Sequence, residues 1–288
     1  MSNASPSTFL QVDRSLIDEG ILRLHLDRPH KRNAINGAME TAIRDSLAQA
    51  SRDRSVRVVL LSGEGEDFSA GADVAELDFY LSSSAADLVT TKPARYDWFS
   101  SVWNIRIPVV AAVQGHCLGA ATELAAVCDL TVCTDDAVFG WPELIGGGIP
   151  SSVLLGAVAS HKRIREYFYT ARLISAGEAR AIGIVNMITA RDDLEEAALS
   201  LCRRILLLPQ PTIETAKVAV SAALDVMGVA NSVNLLRMAN AVARTSDSDS
   251  SYWRAVTSGG VSRRLDLIDE RGTEYWRYDT GRAGHGTG

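Results

Sequence analysis

Hydrophobic and polar positions change rhythm several times along this chain. Phe9-Leu-Gln-Val-Asp and Ile21-Leu-Arg-Leu-His-Leu alternate apolar with polar, the period of a half-buried strand. Glu19-Gly20 between them predicts a hairpin turn, with His25 on the polar side as a surface residue. The rhythm then lengthens. From Met39 to Arg52, residues Met39, Ile43, Leu47 and Ala50 recur on one face of an amphipathic helix. Val56 to Leu61 is almost continuously apolar, as in a strand covered on both faces. Pro108 to Val113 repeats that pattern and stops at Gln114-Gly115; Leu130 to Thr134 repeats it after Asp129. Thr122 to Ala126 lies between these two runs and reads as a helix. Short strands alternating with helices from 55 to 190 predict βαβ units and a largely parallel sheet, an α/β fold. Further helices are expected over Ala85–Trp103, interrupted at Pro93 with Trp98, Phe99, Val102 and Ile105 inward, and over Asp192–Leu208, Thr212–Val226 and Ser232–Arg244.

Composition narrows the picture. A chain of 288 residues, 47% of them hydrophobic, suits one large domain or a core with an appendage. We divide it into a core over 1–200 and a helical region with a tail over 201–288. The net charge of −6 argues against nonspecific nucleic-acid binding. No run reaches the ~18–20 apolar residues of a membrane span, and the first residues lack a basic, then apolar, leader. A cytoplasmic enzyme is the expectation. Cys117, Cys128, Cys133 and Cys202 show no metal-ligand spacing and read as buried thiols. Gly63-Glu-Gly-Glu-Asp-Phe lacks the third glycine and the spacing of a dinucleotide fingerprint. Neither a metal nor a bound redox cofactor is expected.

The chemistry concentrates between Ile107 and Pro150, IPVVAAVQGHCLGAATELAAVCDLTVCTDDAVFGWPELIGGGIP. The first turn of a helix leaves main-chain N–H groups without intrahelical partners, and the peptide dipoles favour negative charge there. Gly119, Ala120 and Ala121 are small enough to let a ligand oxygen reach that backbone. Glu123, three residues beyond Ala120, falls on roughly the same side of the helix. A carboxylate adds nothing to an anion site, so it reads as a proton carrier. Glu143 supplies a second carboxylate from a loop. Two carboxylates and an anion-accepting helix start suit proton transfer on a carbonyl compound.

This stretch resembles the core of the crotonase superfamily, the enoyl-CoA hydratase/isomerase family. Arg28-Pro29-His30-Lys31-Arg32-Asn33-Ala34-Ile35-Asn36, Phe68-Ser69-Ala70-Gly71-Ala72-Asp73-Val74, Ser175-Ala176-Gly177-Glu178-Ala179 and Gly183-Ile184-Val185 follow that family's order and spacing. The likeness runs from about residue 8 to 245 and weakens beyond. It implies a spiral of ββα turns and C-terminal helices that assemble trimers or dimers of trimers. It also implies an acyl-CoA substrate, with coenzyme A as thioester carrier. By the same resemblance the Ala72 and Ala120 N–H groups hold the thioester oxygen while Glu123 and Glu143 act as acid and base. Lys31 and Arg32 would meet the CoA phosphates; Ala34, Ala70, Gly71, Asp73, Val74 and Gly119 would complete the CoA surface. Both glutamates together favour hydration over isomerisation, with hydrolysis, C–C cleavage or a non-catalytic CoA-binding role as alternatives. Two departures stand out: Ala120 where relatives usually have glycine, and Ser151-Ser152-Val153 where they continue with proline and glycines. Aromatic residues between 74 and 107 either line the acyl pocket or pack in the core.

Overall fold

The computed structural model describes residues 9–76, 97–146, 148, 150 and 160–229. The expected helix over Ser232–Arg244, the tail, the interruption at Pro93, the side chain of Trp98 and the segment after Pro150 lie outside the described residues. β1 (Leu10–Asp13) and β2 (Ile21–Leu26) form the expected antiparallel pair, joined through a short 3-10 turn at Ile17–Glu19. β3 (Val58–Gly63), β4 (Val109–Val113), β6 (Leu130–Thr134) and β9 (Met187–Thr189) continue one six-stranded sheet, each parallel to its neighbour. β5 (His116–Leu118), β7 (Val138–Gly140) and β8 (Ile174–Ser175) form a second sheet. The chain passes from β4 to β5, and from β6 to β7, through short turns. It then enters α3 (Ala120–Val127) directly after β5, so β4, β5 and α3 make one ββα turn.

The six-stranded sheet is apolar on both faces, which explains its unbroken hydrophobic runs. Val59 and Leu61 face the larger core beside α1 (Gly37–Arg52) and α2 (Asp97–Asn104). Val58, Leu60, Val110 and Val132 face α6 (Leu194–Leu206) through Leu194, Ala198, Leu199 and Cys202. Full burial of each such aliphatic side chain contributes roughly 1.5–3 kcal/mol. The division after residue 200 falls inside α6, a continuous helix that packs on the sheet beyond that point. Asn36 caps α1 by accepting the Met39 N–H at 2.9 Å, and Met39, Ile43, Leu47 and Ala50 are buried as their spacing predicts. Val102 and Ile105 are buried and Phe99 is partly so. His25 corrects the sequence reading. It is half-buried against Ser62, 2.6 Å from its hydroxyl, and desolvation holds its pKa below the ordinary imidazole value.

α7 (Gln210–Val226) docks through polar groups that its apolar pattern did not announce. Lys217 donates to the Val102 and Ile107 carbonyls at 3.1 Å each and pairs with Asp129 at 2.7 Å. Arg106 binds Glu214 and donates to the Ser51 and Asp53 carbonyls near the end of α1. All four cysteines are buried and free, and burial pushes the Cys133 and Cys202 thiols up to about 12. Among the described residues no helix is long and apolar enough to cross a membrane, and no cluster of side chains suits a metal ion.

Candidate active site

Three chain segments meet at one end of the sheets: 28–36, 63–73 and 114–123. The first is a turn with Arg32 and Asn33 both left-handed, at φ 48° and 51°. Asparagine tolerates that conformation, and buried Asn33 uses every part of its amide. Its Nδ2 donates to the Glu64 and Asp67 carbonyls at 2.8 Å, and its Oδ1 accepts the Arg28 N–H at 2.8 Å. Ser69 donates its hydroxyl to the Asn33 carbonyl, and Ala70 donates its N–H to the Arg32 carbonyl. The first two segments are therefore stitched together largely by hydrogen bonds.

The placement of Ala72 follows from its neighbours. Ile35 donates to the Gly71 carbonyl and accepts from the Asp73 N–H, both at 2.8 Å. In such a parallel bridge the residue between the two contacts turns its own N–H to the opposite side. On the far side, Ser69 takes part in a second parallel bridge, to Cys117. Gly71 lies tight against the third segment, at φ +89°. A Cβ there would stand 2.3 Å from the Leu118 carbonyl oxygen and 3.3 Å from the Ala120 nitrogen. Only glycine allows that approach. Ala120 opens α3, so its N–H has no intrahelical acceptor. Neither the Ala72 nor the Ala120 N–H donates to another described residue.

Glu123 lies in the first turn of α3 and is 7% exposed, with its N–H closing the bond to the Gly119 carbonyl at 3.1 Å. Gly119 caps the helix at φ 55° and donates its own N–H to the Gly140 carbonyl. Glu143 sits in a 3-10 turn, Pro142–Gly146, and is partly exposed; its carbonyl accepts the Gly148 N–H at 2.9 Å. The turn follows Trp141, 1% exposed, whose ring meets Phe168 edge-on at 5.2 Å between centroids.

The residues expected at the CoA surface divide. Lys31 is exposed, and Arg32 is half-exposed with its guanidinium 3.3 Å from Asp67. Ala34, Ala70, Gly71, Val74 and Gly119 are buried around the junction. The Asp73 side chain pairs with Arg28 at 2.8 Å, both nearly buried, while Arg28 also donates to the Ala34 carbonyl and lies over the Phe9 ring. Asp73 thus braces the segment. Asp67, His116 and Thr122 were not singled out as site residues from the sequence. Asp67 Oδ1 accepts the His116 N–H at 2.9 Å and lies 2.7 Å from His116 Nδ1. Burial opposes ionisation of Asp67, yet His116 and Arg32 together hold its pKa below the usual carboxylate value. The sequence signal for such residues is weak: each is one polar position inside an apolar motif.

Residues 17–253 match the profile of the family described as Enoyl-CoA hydratase/isomerase. A probable mitochondrial enoyl-CoA hydratase 2 of Arabidopsis thaliana is 32% identical over 226 residues, 77% of this chain and 74% of that protein. A (7aS)-7a-methyl-1,5-dioxo-2,3,5,6,7,7a-hexahydro-1H-indene-carboxyl-CoA hydrolase of Mycobacterium tuberculosis is 30% identical over 204 residues, 71% of this chain and 81% of that one. The crystal structure of an enoyl-CoA hydratase/isomerase from Xanthobacter autotrophicus Py2 superposes with a TM-score of 0.82 at 26% identity, covering 91% of this chain and 98% of the other. The expected α/β architecture is the one this solved structure shares.

Proposed function

The chain belongs to the enoyl-CoA hydratase/isomerase family and is an enzyme of the crotonase superfamily, and from that premise we propose that it adds water to a 2-enoyl-CoA thioester. The observation that carries the reading is the close packing at Gly71, where the Ala72 segment and the Ala120 amide approach with neither N–H donating to a described residue. Two such donors on the thioester oxygen would draw charge from the β-carbon and stabilise the enolate. Removal of one donor of this kind costs about 2.7–4 kcal/mol of barrier. Glu123 and Glu143 would hold the water between them: one takes its proton while the other delivers a proton to the α-carbon. Arg32 and Lys31 would meet the CoA phosphates. Assembly into trimers or dimers of trimers accompanies this reading, supported by the exposed Leu207, Val218, Val220 and Met227.

Loss of the enoyl-thioester absorbance with a panel of 2-enoyl-CoAs tests the proposal on wild type, Glu123→Gln and Glu143→Gln. Turnover by wild type and its loss in both variants is expected. The relative named as a carboxyl-CoA hydrolase favours a second reading, hydrolysis of a bicyclic dioxo carboxyl-CoA on the same oxyanion site. Consumption of a bicyclic dioxo carboxyl-CoA without enoyl hydration would replace the first reading by the second. Release of free CoA thiol, followed separately, would identify simple thioester hydrolysis.

A further inference from the structure

Thr122 stands between the Ala120 amide and the Glu123 carboxylate in sequence, yet its side chain turns inward and is fully buried. Its Oγ1 lies 2.5 Å from the Cys117 carbonyl oxygen and 3.0 Å from that of Gly140, and it accepts the Gly140 N–H at 3.2 Å. A hydroxyl has one proton and two lone pairs, so it donates to a carbonyl and accepts from Gly140 at once. The same Gly140 carbonyl accepts the Gly119 N–H at 2.7 Å. One side chain therefore joins the end of β5, the first turn of α3 and the end of β7.

What lies on either side of that joint gives it meaning. Glu123 is the next residue along α3. Glu143 is three residues beyond Gly140, reached through Trp141 and Pro142, both buried. Fixed in the core, those two residues have little room to absorb a shift at Gly140, so a movement there passes to Glu143. We propose that Thr122 is a positioning residue that sets the spacing of the Glu123 and Glu143 carboxylates. The inference rests on the reading of those two groups as the acid–base pair. Misplacement of a reacting group by ~1 Å can cost 10²-fold in rate. Loss of the buried hydroxyl leaves the Gly140 N–H and the carbonyls it joins without that partner, which favours a rearrangement of the joint.

The test compares Thr122→Val, which replaces the hydroxyl by a methyl at nearly equal volume, with Thr122→Ser, which keeps it. Thr122→Val should lower kcat by about 10- to 100-fold with KM within about 3-fold, and should move the pH profile of kcat/KM. Thr122→Ser should stay within about 3-fold of wild type. Urea unfolding confirms that each variant is folded; should the valine variant not fold, Thr122→Ala assayed well below its melting temperature replaces it. A folded hydroxyl-free variant with wild-type kcat and pH profile overturns the proposal. So do serine and valine variants that are equally impaired, which would make the effect one of packing. A second readout, exchange of the α-protons of a saturated acyl-CoA in D2O, separates this inference from its premise. Wild type that exchanges without hydrating sinks the hydratase reading, and the exchange rates of the variants then decide the role of Thr122. Wild type that does neither overturns both.

Discussion

The two segments that bring Ala72 and Ala120 together are held by different physics. Residues 63–73 carry few apolar anchors, chiefly Phe68, and depend on hydrogen bonds and ions: Asn33 to the Glu64 and Asp67 carbonyls, Asp67 with His116, Asp73 with Arg28. Residues 116–127 depend on burial: Cys117, Leu118, Ala121, Leu124 and Ala125 are almost wholly enclosed, with Thr122 as the polar joint among them. A polar brace is directional and fixes orientation, but each lost partner leaves a buried group unsatisfied. Apolar packing spreads its contribution over many non-directional contacts that do not titrate. The site therefore has one arm held by directional polar partners and one held by burial, and Glu123 of the proposed acid–base pair stands on the second.

The largest expected effect is on that second arm. Glu123→Gln should reduce turnover by about 10²- to 10⁴-fold, the usual range for a lost proton carrier, with folding little changed. Near-wild-type kcat in this variant would remove the chemistry from α3. On the first arm, Asp73→Ala strands the Arg28 guanidinium in a buried position and should cost about 3–5 kcal/mol in urea unfolding. A loss below about 1 kcal/mol would show that the arm does not depend on its ions, and the contrast between the arms would fail. Gly71→Ala comes next, at about 2–4 kcal/mol: the new Cβ meets the Leu118 carbonyl, and φ +89° is unfavourable for alanine. Activity should fall further than stability in this variant, because the methyl group lies beside the Ala120 nitrogen.

The contrast also explains what could be read from the chain. The second arm is legible because burial writes itself as pattern: Pro108–Val113, the small residues at 119–121 and Leu130–Thr134 announce strand, turn, helix and strand. A lone glutamate in GAATELAAVCD stands out against them. The first arm was legible only as a resemblance, since hydrogen bonds between loops leave no period. Asp73 was expected at the CoA surface by resemblance alone, and its pattern gave no sign that its side chain pairs with Arg28. Asp67 lies in the Gly63–Phe68 run, whose pattern gave no sign that its carboxylate faces inward between His116 and Arg32. His25 failed for the opposite reason: alternation marks the polar side of a strand, but not whether another element covers it. Lys217 and Glu214 likewise sit on a helix whose apolar spacing gave no sign that ions dock it.

Acid provides the mildest test of the contrast. Asp67 has a folded pKa below its unfolded value, near 4, because His116 and Arg32 favour its charged form against the cost of burial. Its contribution to stability is thus fully present above about pH 5 and fades as the pH falls through the folded pKa. Asp67→Asn keeps an acceptor for the His116 N–H but carries no charge to lose. In urea unfolding, wild type should exceed this variant by the most near neutrality, and the gap should close steadily below pH 4. Leu124→Ala on the other arm should be worse than wild type by about 2–5 kcal/mol at every pH where both fold, because burial of a leucine does not titrate. A pH-independent gap for Asp67→Asn would mean that shape rather than charge makes Asp67 matter. The first arm would then be held in the same way as the second.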